Sequence, residues 1–219
     1  MSLKALFYPG DVPFDTLFIP AIYHEIYYDS VYLDMMNVLD KETKNPVIVD
    51  VGANIGITVQ YFREHAKKVY AIEPATENFE ALKKNKEFNK WDDVELFKVA
   101  ISHNVGEGEL RLYSKNHTAN SLVLRDEIDK DFETVKTTTL NTFLTENKIE
   151  HVDFMKFDIE GSEKLVMMTD DFAEASKKID NIMVEFHFSD FPEQINRMIE
   201  LGYKARRYPC SAIVVLFSK

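Results

Sequence analysis

Val49-Asp50-Val51-Gly52-Ala53-Asn54-Ile55-Gly56 is the stretch on which the fold turns. It completes Val47-Ile48-Val49-Asp50-Val51, a short β-branched run of the kind that forms a buried strand. Gly52, Asn54 and Gly56 allow a tight turn and close approach of a ligand to the backbone. A helix is expected next, with Ile55, Val59, Phe62 and Ala66 on one face. In open α/β sheets, ligands bind at the carboxyl ends of strands, where the strand order reverses. A nucleoside cofactor is therefore expected against this turn, and a branched side chain at Gly52 should fill the space it needs. Taken alone, the same residues also read as an ordinary glycine-rich turn.

Glu73, at the end of Tyr70-Ala71-Ile72-Glu73-Pro74, shifts the balance. An acidic residue closing the second strand can accept both ribose hydroxyls. The nicotinamide fingerprint G-x-G-x-x-G is not met, because Asn54 takes the middle glycine position and Gly56 follows too soon. Asp50 would repel a pyrophosphate but suits a cationic sulfonium. These charges favour S-adenosylmethionine over NAD.

Outward from the turn, strands and helices alternate. Strands are expected at 68–72, 94–101, 152–157 and 181–188, with 203–207 and 212–217 closing the sheet. Helices are expected at 76–88, after 157 to about Met168, and at 191–201 before Gly202. The alternation implies an α/β fold, a mainly parallel sheet with helices on both faces. Residues 107–140 break it with short strands at 109–113, 121–124 and 135–140, read as a β insertion on the substrate side. Residues 1–44 read as an aromatic N-terminal leader, helical from Ala21 to about Leu39 with Ile22, Ile26, Leu33 and Met36 on one face. Tyr23, Tyr27 and Tyr28 there are candidates for a lid, with core packing as the plainer role. Residues 45–219 form the catalytic domain in this reading.

Composition narrows the partners. The 219 residues are 45% hydrophobic and 29% charged, a globular balance. Lys and Arg total 26 against 37 Asp and Glu, a formal charge of −11. Such a surface repels nucleic acid and anionic lipid, so neither partner is expected. The lone Cys210 reads as a packing residue. With no signal peptide and no long apolar run, a cytoplasmic location is the expectation.

The ordered motifs resemble those of FkbM-family methyltransferases. The resemblance is carried by 50–56, by Glu73-Pro74-Ala75-Thr76-Glu77-Asn78-Phe79, by Ala100-Ile101-Ser102, and by Lys156-Phe157-Asp158-Ile159-Glu160-Gly161-Ser162-Glu163. Thr139-Leu140-Asn141-Thr142-Phe143-Leu144 is also similar, although the family more often has Asp at position 141. The resemblance covers roughly residues 45–190 and not the leader. It implies a seven-stranded class I (Rossmann-like) fold, S-adenosylmethionine as cofactor, and O-methylation of a natural product, small molecule or glycan. Carried over by position, Gly52, Asn54 and Gly56 line the methionine and ribose portions, Glu73 holds the ribose, and Ala100-Ile101 border the adenine. Asn78 reads as a pin for the following helix.

Asp158/Glu160 and Glu185/His187 form the catalytic candidates. Each pair has period-2 spacing at the end of a strand, so each should face one way. Four titratable groups then converge beside the sulfonium. Asp158 acts on cofactor or acceptor position, and Glu185 or His187 is the general base. A divalent cation held by Asp158 and Glu185 is the weaker version. His24, His65, His103, His117 and His151 have no evident partners. An NAD-dependent oxidoreductase and a non-catalytic nucleoside-binding module remain the alternatives.

Overall fold

A computed structural model describes Ile26, Tyr32, Leu39 and residues 45–112, 120–122, 131–187, 191–208 and 213–219. Tyr23, Tyr27, Tyr28, Ile22, Leu33, Met36, His24, His117 and Cys210 lie outside the described residues. Ile26, Tyr32 and Leu39 are helical and buried.

The elements run β1 (Val47–Val51), α1 (Ile57–Arg63), β2 (Lys68–Ile72), α2 (Thr76–Asn89), β3 (Val94–Phe97), β4 (Ala100–Ile101), β5 (Gly106–Arg111) and β6 (Phe132–Thr138). They continue as α3 (Leu140–Glu146), β7 (Val152–Phe157), α4 (Glu163–Met167), α5 (Asp170–Ser176), β8 (Ile179–Phe186), α6 (Pro192–Glu200), β9 (Lys204–Arg207) and β10 (Ile213–Ser218). Seven strands form one sheet in the order β3-β2-β1-β7-β8-β10-β9, and only β10 runs against its neighbours.

Alternation along the central strands builds two cores. Ile48, Phe154 and Met183 point to one face, where Val59 and Phe62 of α1, Leu82 of α2 and the leader's Ile26, Tyr32 and Leu39 cover them. Val49, Val51, Met155 and Phe157 point to the other, under Phe143 and Leu144 of α3, Phe172 of α5 and Met198 of α6. A strand apolar on both faces must be roofed on both, which is the class I Rossmann-like layering expected from the sequence.

The expected third strand, 94–101, is two strands in two sheets. β3 ends the large sheet, whereas β4 joins a second sheet of order β4-β6-β5. Two strands of that insertion sheet were anticipated in kind. Of the expected strand at 121–124, Ser121 makes an isolated bridge with Arg111, and 123–124 lie outside the described residues. Two helices escaped the sequence reading: α3, capped by Thr139, and α5, capped by Thr169.

Candidate active site

The strand order reverses between β1 and β7: β1 has β2 on one side and β7 on the other. The segments leaving these strands, 52–56 and 158–162, diverge and leave a crevice. A cavity of about 220 Å³ opens there.

The 52–56 turn is fixed by backbone bonds. Gly52 and Ala53 both donate to the Ile72 carbonyl, at 3.0 and 2.9 Å. Asn54 sits in the left-handed region at φ 51, and its N–H donates to Glu73 Oε2 at 2.9 Å. Gly52, at φ 85, packs against the strand beside it: a Cβ there would lie 1.9 Å from the Asp158 carbonyl oxygen. The glycine is thus demanded by the β1–β7 junction, not only by a ligand. Gly56 does not line the cavity. A Cβ on it would meet Leu82 and Trp91, so its role is to let α2 and Trp91 pack, which corrects the expected ligand contact.

Glu73 lines the cavity and is buried. Its Oε1 accepts from the Ala75 N–H at 2.9 Å and from Asn78 Nδ2 at 3.4 Å. Burial pushes its carboxyl up to about 7, against the lowering effect of these donors and of Asn54. Each carboxylate oxygen has further lone-pair capacity, so ribose hydroxyls remain compatible with these bonds. Asn78 pins the turn after β2, as expected.

Asp50 departs from expectation. It is fully buried and is not part of the cavity wall. Thr58 Oγ1 donates to it at 2.5 Å, and Lys156 Nζ lies 3.8 Å away. Desolvation raises its pKa, with Lys156 and Thr58 opposing. Its charge therefore meets a protein ammonium rather than a sulfonium. Lys156 itself is buried and lines the cavity, bonding Asp158 Oδ2 at 2.9 Å and the Gly52 carbonyl at 3.2 Å. Burial works against its charge, but Asp158 and Asp50 outweigh that and hold its pKa well above the ordinary value. Lys156 was missed, although it stands two residues before Asp158 and the same alternation that paired Asp158 with Glu160 pointed to it.

The four catalytic candidates do come together. Asp158, Glu160 and Glu185 line the cavity. His187 lies behind them, its Nε2 3.2 Å from Glu160, 3.6 Å from Asp158 and 3.9 Å from Glu185. Its Nδ1 is 3.0 Å from Glu163 Oε1, a second residue missed in the sequence. Burial disfavours the charged ring, yet Glu163, Asp158 and Glu160 push its pKa up to about 9. The acidic cluster thus raises this histidine, the direction expected from the sequence. The His187 ring faces the position between Asp158 and Glu185 that the expected divalent cation would take, and the described side chains that bring possible ligand atoms within 4.8 Å of one another here are Asp158, Glu163 and His187, not Glu185.

The insertion also reaches the cavity. Ser121 Oγ donates to the Glu160 carbonyl, and Asn120, Leu122 and Leu110 join Ala100 and Ile101 on the wall. Among the other histidines, His151 pairs with Asp153 and Asp180, each at 3.3 Å, at the opposite end of β7.

Comparison with known proteins agrees with this geometry. The methyltransferase FkbM domain matches residues 50–205. The chain belongs to the FkbM methyltransferase family. It is 28% identical over 212 residues to methyltransferase sdnD of Sordaria araneosa, covering 82% of this chain and 79% of that protein. Its fold resembles an rRNA methylase from Streptococcus thermophilus (TM-score 0.57, 10% identity, 88% of this chain and 98% of that one). It also resembles magnesium protoporphyrin IX methyltransferase from Synechocystis PCC 6803 with bound SAM (TM-score 0.56, 9% identity, 96% and 86%). Family and fold together support a SAM-dependent methyltransferase and lend nothing to the nicotinamide or non-catalytic alternatives. Among the described residues, no helix is long and apolar enough to cross a membrane.

Proposed function

We propose that this FkbM-family enzyme methylates a hydroxyl oxygen on a small molecule or glycan, using S-adenosylmethionine. The observation that carries the reading is one cavity with a single carboxylate, Glu73, toward β2 and a carboxylate group, Asp158, Glu160 and Glu185, toward β7 and β8. The wall residues fit the cofactor. Glu73 would accept the ribose hydroxyls, and Ala100 with Ile101 would cover the adenine. Gly52 and Asn54 would lie along the methionine end. Asp158 Oδ1 and Ser162 Oγ are buried polar atoms on this wall with no hydrogen-bond partner among the described residues. Such atoms are costly unless a ligand completes them.

When bound, the cofactor supplies an electrophilic methyl group. The protein's part is to align the acceptor oxygen, exclude water and take the hydroxyl proton. With His187 protonated, Glu185 is the base the cavity offers. The acidic wall also disfavours acceptors carrying phosphate or carboxylate near the reacting hydroxyl. With the formal charge of −11, this weighs against nucleic acid despite the rRNA methylase among similar folds.

The test is calorimetry with S-adenosylhomocysteine and NADH, then transfer of a radiolabelled methyl from S-adenosylmethionine to matched neutral sugars, sugar phosphates and RNA. Binding of the homocysteine product and labelling of neutral hydroxyl acceptors are expected. Labelling of RNA in preference, or binding of NADH alone, would overturn the reading.

A further inference from the structure

Glu163 opens α4, is buried, and lies outside the cavity wall. Its Oε1 accepts from the Gly161 N–H at 3.0 Å and faces His187 Nδ1 at 3.0 Å. The other ring nitrogen, Nε2, faces Glu160 Oε2 at 3.2 Å. A neutral imidazole has one N–H and cannot donate from both nitrogens, whereas the imidazolium can. Carboxylate oxygens at both ends of the ring therefore specify the charged form by geometry.

The charged groups facing this ring come from every element around it. Glu163 comes from α4, Asp158 and Glu160 from the segment after β7, and Glu185 from β8, while Lys156 stands on the far oxygen of Asp158. Three carboxylates converging on one ring nitrogen would repel one another without a cation among them.

We propose that Glu163 is a positioning residue: it holds His187 as an imidazolium, and this fixed cation gathers Asp158, Glu160 and Glu185 into the acceptor-side wall. The proposal rests on the reading of that wall as the acceptor's. Deprotonation of His187 releases the three carboxylates, so turnover falls as the pH rises through about 9. A histidine acting as base gives the opposite limb, with turnover rising as the ring loses its proton.

The experiment is an NMR titration of the His187 ring, assigned with His187→Asn, in wild type and in Glu163→Gln. It is paired with pH profiles of kcat and calorimetry with S-adenosylhomocysteine. In wild type the ring is expected to titrate near 9. In Glu163→Gln it should fall by about 1–3 pH units and carry the alkaline limb of kcat with it, while product affinity changes less than about threefold. Glu163→Asp should restore part of the loss. A wild-type ring titrating at or below about 6.5 overturns the proposal, even where Glu163→Gln does not fold. An unchanged titration in a folded Glu163→Gln protein overturns it too. The titration needs neither methyl donor nor acceptor, so failure of hydroxyl methylation with the ring titrating near 9 sinks the functional reading and leaves the clamp standing.

Discussion

Asp50 and Lys156 stand directly opposite each other on β1 and β7, the two strands that part at the crevice, with Nζ 3.8 Å from Oδ1. Lys156 lines the cavity and Asp50 does not, and the same ammonium reaches Asp158 at 2.9 Å. One buried cation therefore serves two acids of different standing. The carboxylate of Asp50 is the more dispensable charge, because without it Lys156 keeps Asp158 as a partner and Thr58 can hydrogen-bond an amide oxygen equally well. Lys156→Met should destabilise the protein by about 3–5 kcal/mol, the usual cost of leaving buried charge unpaired. Asp50→Asn should cost less than about 1.5 kcal/mol. Urea denaturation measures both, and equal costs would contradict this division.

Gly52 and Gly202 test the meaning of a left-handed glycine. Both have positive φ, 85° and 93°, but a Cβ on Gly202 meets nothing within 4 Å. Gly202→Ala should cost about 1–2 kcal/mol, the conformational penalty alone. Gly52→Ala adds a collision with the backbone of Asp158, and its total should exceed about 3 kcal/mol. A Gly52→Val protein is then expected to fail in folding, so lost cofactor binding in it says nothing about ligand space. A stable Gly52→Ala protein would refute the close approach.

Glu73 predicts a pH dependence of two signs. Its folded pKa, about 7, lies above the ordinary 4.5, so folding takes up a proton between these values. The stability it contributes is complete below about 4.5 and is lost as the pH rises through about 7. Ribose hydroxyls donate to the ionised carboxylate, so binding of S-adenosylhomocysteine releases that proton. Affinity should rise up to about tenfold per pH unit below 7 and level off above it. Glu73→Gln should flatten both profiles, and Glu73→Ala should weaken binding by about 1.5–3 kcal/mol. Calorimetry across this range decides, and a flat wild-type profile would return Glu73 to a purely structural role.

What the sequence showed of the fold followed from periodicity. Val47–Val51 and Lys68–Ile72 are apolar on both faces, and their ends coincide with the observed strands. The break at Lys98-Val99 was illegible, because residues 94–101 form one apolar-rich run with no glycine or proline to mark a stop, and only the second sheet pulls 100–101 away. In the site, Glu73, Asp158, Glu160 and Glu185 were legible from their position at strand ends. Asp50 was misread because its face depends on which helix covers it. Glu163 was invisible because its partner, His187, comes from a different strand end and only the folded chain brings the two together.

The last prediction separates a carboxylate base from a metal-assisted reaction. A divalent cation shared by Asp158 and Glu185 would have to enter the position that His187 Nε2 holds, 3.6 and 3.9 Å from those acids, and expel its proton. Mg²⁺ also favours six oxygen ligands at 2.0–2.1 Å and gives little return for displacing a hydrogen-bonded imidazolium. Activity should therefore survive exhaustive treatment with a chelator. Glu185→Gln, which keeps the shape of the wall and removes its proton acceptor, should lower kcat by roughly 10²–10⁴-fold with S-adenosylhomocysteine affinity little changed. His187→Asn should lower kcat through disorder of the same wall, and its pH profile should lose the limb near 9. Loss of activity on chelation, restored by Mg²⁺ or Mn²⁺, would replace the imidazolium with a metal. Full activity in Glu185→Gln would remove that residue as the base.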